Sequence, residues 1–365
     1  MSEESCVLVV GGGVAGLTVA TALADRGLST VLVERSTELG GHAAGWACMA
    51  TDECARCSAC MIEDAIRKAL DHPGLRIFTN AGLDGVTGRA GAYEVSLSPF
   101  GTGAIACGRR AALVLGSPHK IDARCIVLAT GFDVYDPSVE PLLGYGRLSG
   151  VLTLKDMDAA LRRDELDSVL PESGDALRLG FIQCVGSRDR VNGRGYCSQF
   201  CCRASIRMLN RLLYLRPELQ AVVFYIDLQL MSKEFRVFYE RAKERVQFVQ
   251  GVPAEVYASG KDSTLKVYGS APGEDKARAF EFDRIVLATG ISPASSRQQL
   301  RDLFGMDEDS FGFLSVPDEE KGIFAAGACA GPTDMQGSMR MAMATASRVA
   351  SWLGSKEGVS HVDAR

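Results

Sequence analysis

The sequence predicts an α/β protein made of two dinucleotide-binding-type domains, the first of them discontinuous along the chain. Three observations carry this expectation. A short apolar strand near the N-terminus runs into Gly11-Gly12-Gly13-Val14-Ala15-Gly16 and then into a helix. An apolar strand closing on Ala-Thr-Gly occurs twice, at Ala129-Thr130-Gly131 and at Ala288-Thr289-Gly290, as expected of two related nucleotide-binding units. A glycine-terminated strand, Gly322-Ile323-Phe324-Ala325-Ala326-Gly327, then precedes a long Ala- and Met-rich helix. The expected divisions are 1–150 with 283–365 for the first domain and 151–282 for a module inserted in it.

Taken in order, Cys6 to Val10 is a continuous apolar run suited to a parallel strand buried on both faces. Gly11, Gly13 and Gly16 fit G-x-G-x-x-G. The first glycine makes the tight turn, the second admits a pyrophosphate against the backbone, and the third lets helix and strand pack closely. Leu17 to Arg26 has helical apolar spacing and stops at Gly27. The start of that helix, with Val14 and Ala15, offers free N–H groups and a positive dipole end to phosphates. Thr30 to Glu34 is a second strand whose terminal acid is placed to accept a ribose hydroxyl, with Arg35 beside it. The middle region opens with a polar helix-like stretch after Thr153. Strands follow at Arg178 to Ile182 and Ala221 to Ile226, and then a charged helix over Lys233 to Arg245.

Bulk properties narrow the function. The 365 residues are 47% hydrophobic and 23% charged, ordinary for a soluble protein with a large core, and the net charge of −5 argues against nucleic-acid binding. Glu3 and Glu4 precede a short apolar run that soon meets glycines. Neither a secretory signal nor a membrane span is expected from that start, and a cytoplasmic location is. Twelve cysteines in such a chain point to metal or redox chemistry rather than disulfides.

Beyond the glycine fingerprint, Glu38-Leu39-Gly40-Gly41-His42 resembles the E-x-G-G segment of flavoproteins with two dinucleotide-binding domains, as does the Thr130-Gly131 turn. FAD is therefore favoured over NAD, with Gly40, Gly41, His42, Thr130, Gly131 and Gly327 around it. The acid those proteins carry after the last glycine, which holds the ribityl chain, is replaced here by Ala328 and Cys329. A helix starting near Gln336-Gly337-Ser338 would aim its positive end at the flavin N1/O2 edge.

The inserted region lacks a second G-x-G-x-x-G. In its place, after Phe181-Ile182-Gln183, stand Cys184, Cys197, Cys201 and Cys202, spaced C-x12-C-x3-C-C. Four thiols within nineteen residues suit a [4Fe–4S] cluster. Zinc also takes four thiolates, but usually from paired C-x2-C knuckles, which these are not. A second group, Cys48, Cys54, Cys57 and Cys60, begins like a ferredoxin run and lacks its ending. Three readings are open for it: a second cluster completed by Cys48, a redox dithiol among Cys54, Cys57 and Cys60, or idle thiols. Cys6, Cys107 and Cys125 read as small core residues, and Cys329 as packing.

These residues also carry a family resemblance. Phe181-Ile182-Gln183-Cys184-Val185-Gly186-Ser187-Arg188-Asp189, then Tyr196-Cys197-Ser198-Gln199-Phe200-Cys201-Cys202, resemble the A subunit of heterodisulfide reductase, and so does Ala326-Gly327-Ala328-Cys329-Ala330-Gly331-Pro332. The resemblance spans nearly the whole chain. It implies a thioredoxin-reductase-like flavoprotein fold and an FAD beside a [4Fe–4S] cluster held by Cys184, Cys197, Cys201 and Cys202. It also implies partner subunits in a cytoplasmic complex for disulfide or sulfur-compound oxidoreduction, and a homodimer. The missing ferredoxin-like modules resemble the short form found in sulfur-oxidising bacteria. The rival expectation is a stand-alone NAD(P)H-dependent flavin disulfide reductase, against which the missing second fingerprint counts.

Overall fold

The computed structural model describes residues 5–101, 112–170, 176–229, 233–259, 264–269, 277–315 and 319–360. Cys107 lies outside them. The chain divides into two compact units, one of 1–44, 58–133 and 293–365, the other of 45–57 and 134–292. The short strands Phe132–Val134 and Ile291–Pro293, where the chain passes between the units, pair with each other.

In the first unit, the strand Cys6–Val10 lies between Thr30–Val33 and His119–Leu128, parallel to both. Leu75–Thr79 and then Ala112–Val114 extend the sheet on the far side of Thr30–Val33. The long strand His119–Leu128 divides its other edge. Its first half takes the antiparallel strand Ala92–Pro99 and its second half takes Ile323–Ala325. All five residues of Cys6–Val10 are buried, as a continuous apolar run in a central parallel strand requires. The helix Val14–Ala24 is apolar on nearly every side because it is covered on nearly every side, packing along the C-terminal helix Met335–Ser360.

In the second unit, five parallel strands run in the order Val246–Gln250, Gln220–Tyr225, Arg178–Val185, Arg284–Thr289, Val151–Thr153. A three-stranded antiparallel sheet, Tyr257–Ser259, Thr264–Gly269 and Arg278–Phe282, completes it. The polar helix after Thr153 is Leu154–Arg163, started by a capping box in which Thr153 and Asp156 satisfy each other's backbone N–H groups. The helix Cys201–Leu215 buries Ile206, Leu209 and Leu212 with Leu179 and Phe181 of the central strand. Each strand that closes on Ala-Thr-Gly thus lies beside parallel neighbours in a sheet, one in each unit.

Candidate functional sites

The first unit forms a dinucleotide cradle. Gly11 has φ +108°, and a Cβ there would stand 2.4 Å from the Ala129 carbonyl oxygen. A Cβ on Gly16 would stand 1.7 Å from the Gly11 carbonyl oxygen. Gly11 thus serves the packing of the turn against the Ala129-Thr130 segment, and Gly16 the packing of helix against turn. Gly13 differs: it caps the helix, its φ is −78°, and nothing lies within 4 Å of where its Cβ would be. Open space at a helix N-terminus is the setting that suits an approaching phosphate group. The helix begins at Val14, three residues earlier than its apolar spacing indicated, because Gly13 is its cap.

Glu34 is held at the end of its strand by hydrogen bonds from Gly12 N to Oε2 (2.6 Å) and from Ser36 N to Oε1 (2.8 Å). Arg35 is exposed and lies over the Phe100 ring. Gly40 donates its N–H to the Gly12 carbonyl at 2.8 Å, so the Gly40-Gly41 turn lies against the glycine loop. His42 is exposed, stacks on Phe132 at 4.6 Å, and has its Nε2 2.8 Å from the Phe132 carbonyl. The Thr130 hydroxyl is buried with no hydrogen-bond partner, next to Gly131 at φ +73°. Open space at Gly13, an oriented acid and an unsatisfied hydroxyl together fit a dinucleotide.

Gly327, at φ +77°, brings the turn after Ile323–Ala325 against Ala15, and Ala328 is buried there. Cys329 donates to the Leu128 and Ala326 carbonyls and is packed in the core; burial pushes its thiol pKa up. The C-terminal helix starts at Met335, one residue before Gln336, and its N-terminus is capped by Asp334, whose Oδ1 accepts the Gly337 N–H at 2.6 Å. A carboxylate therefore stands at the helix end expected to present a positive dipole, which the sequence pattern alone did not indicate. Asp334 followed by a long apolar-spaced run is the cap signal that could have found it. Ser338 is half-buried in the first turn, and exposed Gln336 reaches the Ser58 hydroxyl at 3.4 Å.

The second unit gathers the four central thiols. Cys184 sits at φ +63° where the register between Arg178–Val185 and Arg284–Thr289 slips. Cys197 accepts the Gln199 N–H at 3.3 Å, with Gln199 at φ +67°. Cys201 and Cys202 open their helix, both buried. Burial and then the neighbouring Cys202 push the Cys184 thiol up to about 12. Burial and then Cys202, Cys184 and Cys197 push Cys201 well up, and burial also raises Cys202. Cys184, Cys201 and Cys202 are thus raised by burial and by neighbouring thiols together. Arg188 pairs with Asp227, which also takes Gln229 Nε2 at 2.8 Å, and Arg188 holds the Asp227 carboxyl low.

An all-sulfur donor set selects Fe–S clusters, zinc or copper(I). Among the described residues no group of three or more His, Cys, Asp or Glu side chains is arranged around one ion position. A cubane takes its thiolates on separate irons and needs no such convergence. The turn after the cysteine-bearing strand is no second dinucleotide cradle. A Cβ on Gly186 would fall 2.1 Å from the Tyr135 ring, so protein fills the space that stays open at Gly13.

The second cysteine group is divided between the units. Cys48, Cys54 and Cys57 belong to the second and Cys60 to the first. The segment 45–57 is strapped down by arginines of the second unit. Arg207 donates to the Ala55 and Arg56 carbonyls at 3.0 and 2.9 Å, Arg211 to Ala50 at 2.7 Å, and Arg162 to Trp46 at 3.2 Å. Asp158 accepts the Ala47 N–H, and burial pushes its carboxyl up to about 6. Cys54 accepts the Arg56 N–H at 3.3 Å, with Arg56 at φ +49°. Cys48 and Cys54 are exposed, as is Cys60, while Cys57 is half-buried.

Residues 9–58 match the model of the NAD(P)-binding Rossmann-like domain. The chain is 15% identical, at a TM-score of 0.60, to thioredoxin reductase of T. acidophilum over 97% of this chain and 99% of that one. It is 18% identical, at 0.57, to the Lactococcus lactis enzyme over 96% and 100%. It is 26% identical to the A subunit of the H(2):CoB-CoM heterodisulfide,ferredoxin reductase of Methanothermobacter thermautotrophicus. It is equally similar to an iron-sulfur A subunit of CoB–CoM heterodisulfide reductase from Methanopyrus kandleri. Each match covers 96% of this chain and 64% of the relative, so the chain spans a little under two thirds of their length. The chain thus has a thioredoxin-reductase-type fold and is similar along nearly its full length to the heterodisulfide reductase A subunits.

Proposed function

We propose that the chain is an oxidoreductase component of a heterodisulfide-reductase-like complex, passing electrons between FAD in the first unit and a [4Fe–4S] cluster in the second. The observation that carries this reading is the close-set group of four cysteines, Cys184, Cys197, Cys201 and Cys202, where an ordinary pyridine-nucleotide reductase would carry a second glycine fingerprint, with Cys184 and Cys201 each raised by burial and by thiols of the same group. When bound, a flavin takes up electrons in pairs and a cubane passes them singly.

The chain's own residues bind and orient. Gly13 and the N-terminus of Val14–Ala24 receive the pyrophosphate, Glu34 the ribose, and Thr130 and the Gly327 turn the remainder of the flavin nucleotide. Asp334 neutralises part of the helix dipole beside that site, so the long helix offers less stabilisation to an anionic ring than an uncapped one. In the second unit Cys184, Cys197, Cys201 and Cys202 would hold the cluster as thiolates, their negative charge balanced by its iron. The disulfide or sulfur chemistry is assigned to partner subunits, in a cytoplasmic complex in which this chain is a homodimer. No described helix is long and apolar enough to cross a membrane.

Iron, acid-labile sulfide and FAD measured on protein purified without oxygen test the reading, beside Cys201→Ala. About four irons per flavin, lost in the variant, are expected. About eight would add a cluster at the second cysteine group. Flavin without iron would return the case to a stand-alone NAD(P)H-dependent flavin disulfide reductase.

A further inference from the structure

Gln183 immediately precedes Cys184 on the central strand of the second unit and is completely buried. Neither its Nε2 nor its Oε1 has a hydrogen-bond partner. Phe181, Ile182 and Val185 of the same strand are apolar and buried, and an unpaired amide in such surroundings costs stability. Side chains alternate along a strand, which puts Gln183 on the face of Phe181. Phe181 packs in the core that contains Cys201, Ile206 and Leu209 of the helix Cys201–Leu215. Gln183 therefore faces the helix whose first turn carries two of the four thiols.

A second unpartnered polar atom lies on that helix. Ser205 is fully buried, its Oγ has no hydrogen-bond partner, and it stands one turn beyond Cys201. A helical serine ordinarily satisfies itself on the carbonyl four residues back, and this one does not. Two unpaired polar side chains thus sit on the two elements that carry Cys184 and Cys201.

Resting on the cluster reading proposed for the four thiols, we infer that the Gln183 side-chain amide donates its N–H to a sulfur of the cluster and sets its reduction potential. Sulfur is the acceptor that cluster loading would bring to this otherwise apolar interface. Hydrogen bonds to cluster sulfurs stabilise the added electron of the reduced form and raise its potential. Gln183 is a positioning and tuning residue and not a ligand, so its loss leaves iron content unchanged.

The test is made on anaerobically purified full-length protein in wild-type, Gln183→Met and Gln183→Glu forms. Iron and sulfide analysis comes first, then potentiometric titration followed by EPR. All three proteins are expected to hold the same iron. The midpoint is expected to move to more negative values in Gln183→Met, and further in Gln183→Glu, where a carboxyl replaces the donor. Wild-type protein carrying 15N in its glutamine side-chain amides is expected to show nitrogen coupling to the reduced cluster by pulsed EPR, absent from Gln183→Met. A wild-type cluster without that coupling, or with an unchanged midpoint in Gln183→Met, overturns the inference and leaves a buried water as the amide's partner. Wild-type protein without iron overturns the cluster reading instead. The nitrogen coupling is read in the wild type, so the inference stays decidable even where a variant fails to fold.

Discussion

Single residues divide the glycine fingerprint into two kinds of work. Gly16 serves packing, since a Cβ would overlap the Gly11 carbonyl oxygen at 1.7 Å. Gly13 is free of that demand, since its Cβ would meet nothing and its φ of −78° is open to any residue, which suits the proposed phosphate contact. Gly16→Ala is expected to lower stability by about 1–3 kcal/mol, as overpacking does. Gly13→Ala is expected to cost no more than about 1 kcal/mol at a cap position, yet to purify with little flavin. Thermal unfolding and flavin absorbance on the two variants check this, and the reverse pattern would show the assignment to be wrong. The glycines were legible because their spacing dictates local backbone geometry. The cap at Asp334 was less so, because Gln336-Gly337-Ser338 also reads as a helix start and lies only two residues further on.

At the scale of elements, the most informative arrangement is the strap 45–57 on the second unit. Arg207 and Arg211, both on Cys201–Leu215, donate to its backbone, and Arg207 also stacks on Phe235 at 5.0 Å. One helix therefore carries Cys201 and Cys202 at its start and holds the segment bearing Cys54 and Cys57 along its side. Hydrogen bonds to charged groups contribute about 1.5–3 kcal/mol, and about 1.4 kcal/mol is a tenfold change in an equilibrium. Arg207→Ala is accordingly expected to make opening of the strap roughly tenfold more frequent. Half-buried Cys57 should then be alkylated faster by about that factor, with exposed Cys54 little changed, as mass spectrometry of iodoacetamide-treated protein would show. Equal rates in variant and wild type would mean that the arginine does not hold the strap. The two strand-turn-helix units were readable because parallel strands are near-continuous apolar runs. The strap was not, because its partners are remote in sequence: Arg207 and Ala55 are 152 residues apart.

For the whole molecule, the buried thiols set a pH dependence. Cys125 and Cys184 are each pushed up to about 12, chiefly by burial, and Cys201, Cys202 and Cys329 are raised as well. A raised thiol keeps its proton in the folded chain while the unfolded chain releases it near about pH 8.5. Between about 8.5 and 12 the unfolded state binds fewer protons, so stability falls as pH rises. Below about pH 8.5 this contribution is fully present. The metal-free protein is therefore expected to lose thermal stability steadily above that pH, and Cys184→Ser to lose less. Iron-loaded protein should show a flatter profile, because its thiolates are already deprotonated. A metal-free profile flat to about pH 10 would show that the thiols are not buried as described.

By itself the sequence determined the chemistry available and its local settings: the glycine turn between strand and helix, the acid at Glu34, the paired Ala-Thr-Gly strands and the four close-spaced cysteines. Each is specified within a few residues, by φ/ψ demands, apolar periodicity or ligand type, and so can be read from spacing. The tertiary structure alone decided which unit takes Cys48, Cys54 and Cys57, and that Tyr135 fills the turn at Gly186 where the first unit leaves Gly13 open. It also decided that Gln183 is buried without a partner beside the thiols. Those outcomes depend on which distant side chains meet in a packed interior, where volume and hydrogen-bond satisfaction decide, and a single sequence carries no record of such meetings.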